Sequence, residues 1–225
     1  MKKYKFFIKK KKKKIIISNL QSGFGITIGN SLRRVLINSS KGYAISAIKI
    51  KNINYEYTNL EGIYEDITDF ILNLKKIRIK KIVKKKKKIY IINLKLKNKK
   101  KFLAKHIENY TNKFKIINKK LVLLNFSKNI NFNIKLFITY GKGYIPSEDN
   151  LIINNYEKKK KEKLIKIDSI YTPIINVKFK IKKIYNNNEK LIIFIKTDNT
   201  ISVKLVLYKT IKKLLSYYNE LINCF

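Results

Sequence analysis

The chain has no tryptophan, one methionine, two prolines, one cysteine (Cys224), one histidine (His106) and three arginines among its 225 residues. A single cysteine cannot close an internal disulfide, which fits a reducing compartment. One histidine cannot build a metal cluster, so no metal site is expected on this chain. Apolar runs are short: Leu191-Ile192-Ile193-Phe194-Ile195 is among the longest, against the roughly 20 residues that a membrane-spanning helix needs. The basic start, Met1 to Lys14, is followed only by Ile15-Ile16-Ile17 before polar residues, which is no signal-peptide core. No membrane association is expected.

Acidic residues are scarce too. There are 14 Asp+Glu against 53 Lys+Arg, a net charge of +39. One reading is attraction to nucleic-acid phosphates. The other is codon bias: Lys, Ile, Asn, Phe and Tyr have A/T-rich codons, whereas Arg, Ala, Gly and Pro do not. An A/T-biased small genome would give this composition to almost any protein, so charge alone assigns no function. A length of 225 residues suffices for one large or two small domains and a sizeable core.

Against that background, residues 23–36 stand out as Gly-Phe-Gly-Ile-Thr-Ile-Gly-Asn-Ser-Leu-Arg-Arg-Val-Leu, holding three of seven glycines and two of three arginines. Residues 4–28 read as strand, turn and strand, with Gly23 and Gly25 in the turn. A helix opens at Gly29-Asn30-Ser31, with Asn30 or Ser31 as its cap, and closes at Lys41-Gly42. Leu32, Val35 and Leu36 share its apolar face, Arg33 lies off that face and Arg34 at its border.

Residues 44–58 alternate as strands through Ile48, Ile50, Ile53, Tyr55 and Tyr57. A second helix is expected over 62–75, with Glu65, Asp66 and Asp69 near its positive end and Ile63, Ile67, Phe70, Ile71 and Leu74 as its stripe. Residues 52–74 contain no Lys or Arg. From 77 to 140 the text is β-like with lysine-rich breaks; the lysine runs at 84–88 and 158–161 read as solvated turns or loops. Gly141–Pro146 reads as a turn and 147–163 as a mobile polar loop. Leu164–Ile184 and Leu191–Lys196 read as strands joined at Asn186-Asn187-Asn188. In a long terminal helix Val203, Leu207, Ile211, Leu214, Leu215, Tyr218, Leu221 and Ile222 recur at spacings of three and four. Core packing and a helix–helix dimer seam both fit so broad a stripe.

Catalytic chemistry is hard to find. Gly-x-Gly-x-x-x-Gly lacks the dinucleotide spacing and the Gly-Lys-Ser/Thr ending of a phosphate loop. Asp66 and Asp69, i and i+3 on the expected helix, have no histidine beside them, and no Asp-x-Asp occurs. His106 sits among lysines and reads as structural. No catalytic residue is assigned.

The segment Gly23–Leu36 nevertheless resembles the signature of the bacterial-type RNA polymerase alpha-subunit family. The resemblance continues through Tyr55-Glu56-Tyr57, Gly62–Ile67, Ile71–Lys75, Gly143–Pro146, Ile167–Ser169, Tyr171–Pro173, Lys190–Ile193 and Asn199–Ile201, in the family's order. It implies an α+β fold of two domains. A helix/sheet dimerisation domain would combine residues 1–41 with 174–225. A β-rich domain, 42–173, would be inserted into it. The DNA- and activator-binding C-terminal domain of fuller members would be absent from this chain.

The same resemblance implies a homodimer that assembles the beta and beta-prime subunits of a DNA-directed RNA polymerase, reaching DNA only through the holoenzyme. This would be a non-catalytic subunit without a cofactor, the catalytic magnesium lying on beta-prime. Arg33, Arg34 and Ile37 would contact beta, and Lys75, Ile167 and Lys190 beta-prime. Gly23, Gly25 and Gly29 would serve a structural turn, through close backbone approach or positive φ. Leu32, Val35, Leu36, Leu207, Ile211, Leu214, Leu215 and Tyr218 would form the dimer interface. Arginine suits the beta contact, because its planar fork binds acceptors bidentately and tolerates partial burial. The expected location is the cytoplasm of a bacterium with a reduced genome, or alternatively a plastid. The competing reading is a stand-alone basic nucleic-acid-binding protein, for example a ribosome-associated one.

Overall fold

The computed structural model describes residues 6–9 (backbone only), 14–51, 53, 55–58, 60–83, 87–184 and 187–224. It divides into two compact units, Met1–Ser40 with Thr172–Phe225, and Lys41–Tyr171. Four α-helices occur among the described residues: α1 (Phe24–Ser39), α2 (Ile67–Lys75), α3 (Leu151–Lys160) and α4 (Val203–Ile222).

The first unit is a four-stranded antiparallel sheet with α1 and α4. Its strands run in the order Phe6–Lys9, Lys14–Gln21, Asn188–Thr197, Ile174–Ile184. Period-two alternation sorts the hairpin. Val177, Phe179 and Ile181 pair with Ile195, Ile193 and Leu191 on the core side. Lys178, Lys180 and Lys182 take the other side. In Lys14–Gln21 the buried positions are Ile15, Ile17 and then Leu20. The break in alternation is a bulge, where the register shifts and Asn19 takes φ 64°. Leu32 and Leu36 of α1 and Val206 and Leu207 of α4 complete this core.

The helix α1 begins earlier than expected, which moves two of the three glycines out of the turn. Only Gly23 is a turn residue, with φ 86° at the helix N-cap. Gly25 and Gly29 lie inside the helix. A Cβ on Gly25 would stand 2.5 Å from the Glu189 carboxylate, and one on Gly29 2.7 Å from the Phe179 ring. Both therefore serve close approach to the sheet. The exit differs as well: Gly42 is no C-cap but pairs with Gly141 in the next strand. Ser40 ends the helix, its hydroxyl donating to the Leu36 carbonyl at 2.6 Å.

In the second unit, the six-stranded sheet runs in the order Ile89–Lys97, Asn131–Lys142, Lys41–Ile50, Ile79–Lys81, Phe114–Ile116, with Ile165–Lys166 also on Lys41–Ile50. Two small ladders, Tyr144–Ile145 with Ser169–Ile170 and Lys101–Leu103 with Val122–Asn125, complete the pairing among the described residues. One face of α2, Ile67, Phe70, Ile71 and Leu74, is buried in the core of this unit. Its cap is Asp66, which accepts from the Asp69 N–H at 2.7 Å.

Several local expectations are overturned here. Residues 151–160 form α3 rather than a loop. Asn150 caps it, accepting from the Ile153 N–H at 3.4 Å, and Ile153 alone is buried against Ala47, Phe137 and Leu164. Tyr55 and Tyr57 are exposed and belong to no strand. Within the β-like stretch, Ala104–Tyr110 is a 3₁₀ helix. Gly141 and Lys142 continue a strand, and Gly143, at φ 66°, makes the turn. Residues 4–5 of the first expected strand, 84–86 of a lysine run and Asn186 lie outside the described residues.

A buried polar network ties the strands of this unit together. The Tyr171 hydroxyl meets Thr139 Oγ1 at 2.6 Å and Ser46 Oγ at 3.3 Å, and accepts from Asn150 Nδ2 at 3.1 Å. Ser46 and Thr139 also bond to each other. The Tyr171 ring packs on bare Gly141 backbone, where a Cβ would come within 2.5 Å.

Candidate functional site

The first candidate surface lies between α1 and α4. The capping that sets α1 on its sheet comes from a distant strand. Glu189 is 8% exposed and accepts from Gly23 N–H at 3.1 Å and Gly25 N–H at 2.9 Å. A carboxylate on otherwise unpaired N–H groups at the positive helix end is electrostatically favoured. No spacing pattern in the sequence singles out Glu189. Its only trace in the sequence is a lone acid in a lysine-rich hairpin.

Seated this way, α1 and α4 flank an apolar groove of about 520 Å³, lined by Phe24, Ile28, Leu32, Ile211, Leu215 and Tyr218 among others. On α4 only Val206, Leu207 and Thr210 are buried. Ile211 is 42%, Leu215 57%, Tyr218 52%, Leu221 57% and Ile222 68% exposed. Leu214 and Val35 are half-buried. Leu36 and Leu207 are buried in the unit's own core, which corrects their expected place at an interface, whereas Leu32, also buried, lines the groove. The sequence pattern joined two faces of α4, one turned inward and one outward.

Arg33, Arg34 and Ile37 are exposed on α1. Neither arginine enters a salt bridge among the described residues. The Ile37 carbonyl accepts from Thr172 Oγ1 at 3.5 Å.

In the second unit Lys75 closes α2. Its ammonium donates to Asp168 Oδ2 at 2.8 Å, while Asp168 Oδ1 accepts from Ser147 N–H at 2.9 Å. The Lys75 bond holds the Asp168 carboxyl below the usual carboxylate range, despite partial burial. Ile167, expected on a docking surface beside it, is 1% exposed and belongs to the core, its N–H donating to the Ser46 carbonyl at 2.8 Å. Lys190 is half-buried in the first unit, on the sheet face away from the helices.

His106 is structural. Its Nδ1 accepts from Leu103 N–H at 3.2 Å, its ring stacks on Phe102, and burial, with Lys105 and Lys99, lowers its pKa. Among the described residues no three His, Cys, Asp or Glu side chains gather as a metal site would require. No helix there is long and apolar enough to cross a membrane.

Comparison with known proteins bears on these surfaces. The family model of the RNA polymerase Rpb3/RpoA insert domain matches residues 48–172. The DNA-directed RNA polymerase subunit alpha of Flavobacterium psychrophilum is 34% identical over 205 residues, covering 88% of this chain and 60% of that protein. That of Cytophaga hutchinsonii is 36% identical over 191 residues, 81% of this chain and 54% of the relative. That of Onion yellows phytoplasma is 32% identical over 210 residues, 93% and 62% respectively. The chain thus spans about three fifths of the length of the curated relatives it matches. With an insert-domain match over more than half its length, the chain belongs to the family of bacterial DNA-directed RNA polymerase alpha subunits.

Proposed function

We propose that the chain is the assembly platform of a multi-subunit RNA polymerase in the bacterial cytoplasm: a homodimer that captures the beta and beta-prime subunits. The exposed apolar stripe of α4 beside the groove carries this reading. Ile211, Leu215 and Tyr218 leave large side chains in water, where a second copy of the same helix pair would cover them. Arg33, Arg34 and Ile37, exposed on α1, are proposed to meet beta. Lys75, presented by its ion pair with Asp168, is proposed for beta-prime. The magnesium chemistry of nucleotide transfer would belong to beta-prime, leaving this chain to bring the large subunits together.

The test has two arms. Sedimentation near 0.5 M salt, which screens charge-driven association, should give a dimer; a monomer overturns the platform. Arg34→Ala should keep the dimer and weaken beta capture, since truncating a desolvated interfacial charge typically costs about 2–5 kcal/mol. Unchanged capture in a pull-down overturns the Arg34 assignment.

A further inference from the structure

We propose that the helix-free face of the four-stranded sheet binds single-stranded nucleic acid. Register places Lys178 beside Phe194, Lys180 beside Ile192 and Lys182 beside Lys190. The neighbouring strand adds Lys14 beside Phe194 and Ile16 beside Ile192. These side chains share the face opposite the helix-covered core, and Lys196 joins them two positions beyond Phe194. Lys178, Lys180, Lys182 and Lys196 are exposed; Lys14, Phe194 and Lys190 are half-buried. The Lys14 ammonium stands 5.8 Å from the Phe194 ring centroid. The three acidic residues of the whole unit are Glu189, Asp198 and Glu220. Glu189 is turned to the α1 N-terminus, Asp198 is bonded to Thr200 beyond the strand end, and Glu220 is on α4. The face is therefore cationic without an internal counter-charge.

Charge calls for a polyanion, and the residue types favour a phosphate backbone over an acidic protein. Alternate strand residues stand about 6.7 Å apart, so Lys178, Lys180 and Lys182 form a row of point charges that can follow an extended chain. Lysine is depleted in protein–protein interface cores, where its strongly hydrated ammonium would be stripped of water. On a nucleic acid it can stay wet and act by releasing counterions. Half-buried Phe194, between Lys178 and Lys14, offers a base an aromatic surface, the feature that favours unpaired strands.

The test uses the full chain and labelled oligo(dT) of about 20 nucleotides, read by fluorescence anisotropy over a salt series. Lys178→Gln, Lys180→Gln and Lys182→Gln together should weaken binding at least about tenfold. They should flatten the log–log salt slope by about 2, from three contacts at roughly 0.7 each on single strands. These side chains are exposed, so urea unfolding should be unchanged. Lys158→Gln, Lys159→Gln and Lys160→Gln on α3 remove equal charge and should cost less than about threefold. Phe194→Leu should weaken oligo(dT) more than duplex of the same length. Equal losses from the two triple variants would overturn the proposal, leaving only diffuse charge attraction. So would polyglutamate binding that the sheet variant abolishes and oligo(dT) cannot displace, which would make the face a protein site. Beta capture by the sheet variant is a separate readout, so failure here leaves the assembly reading standing.

Discussion

Replacing Gly29 by alanine should destabilise the helix–sheet unit, although alanine is the better helix former. In a solvent-facing helix position the exchange gains about 1 kcal/mol. At residue 29 the new methyl would lie 2.7, 2.8 and 3.1 Å from three atoms of the Phe179 ring. Phe179 packs against the core of its unit and cannot swing away freely. Overpacking of that kind costs roughly 1–3 kcal/mol, so the net expectation is a loss of about 1 kcal/mol. Asn30→Ala is the comparator: exposed, next in sequence and on the same helix, it should raise stability by about half a kcal/mol. Urea unfolding followed by circular dichroism reads both, at one fixed protein concentration because dimerisation would shift the midpoint. If Gly29→Ala raises the midpoint as Asn30→Ala does, glycine is not needed for helix–sheet contact, and the placement of α1 is wrong.

Three further outcomes follow from named contacts. Tyr171→Phe should cost about 1–3 kcal/mol in unfolding measurements, because it strips a buried partner from Thr139 and Asn150. Asp168 has a depressed pKa, so its contribution is present above the ordinary carboxylate value near 4 and is lost as pH falls through the lower folded value. Asp168→Asn should flatten that part of the acid-side stability profile, with a loss near neutral pH of about 0.5–1 kcal/mol for a partly exposed pair. Leu215→Lys on exposed α4 should leave the protomer's circular dichroism intact while converting a dimer to monomer in sedimentation.

What could be read from the sequence followed the range of the causes. The helices α2 and α4 carry their own periodicity, and α2 also its own cap, Asp66, three residues from the N–H it satisfies. The start of α1 was illegible because its cap is Glu189, 166 positions from Gly23, and its glycines look like breakers until Phe179 and Glu189 are seen against them. The helix α3 buries one side chain, Ile153, too little for a stripe. Ile167 and Leu36 show the limit for the candidate surfaces. Position along a motif does not say which side of a strand or helix faces the core, and both proved buried. The exposure of Arg33 and Arg34 was legible, because one lies off the apolar stripe of α1 and the other at its border.

The central claim is tested most directly by purifying the tagged full chain from its native cells in about 0.5 M salt and weighing what comes with it. The account predicts two copies of this chain with one beta and one beta-prime subunit. A monomer accompanied only by nucleic acid would contradict it.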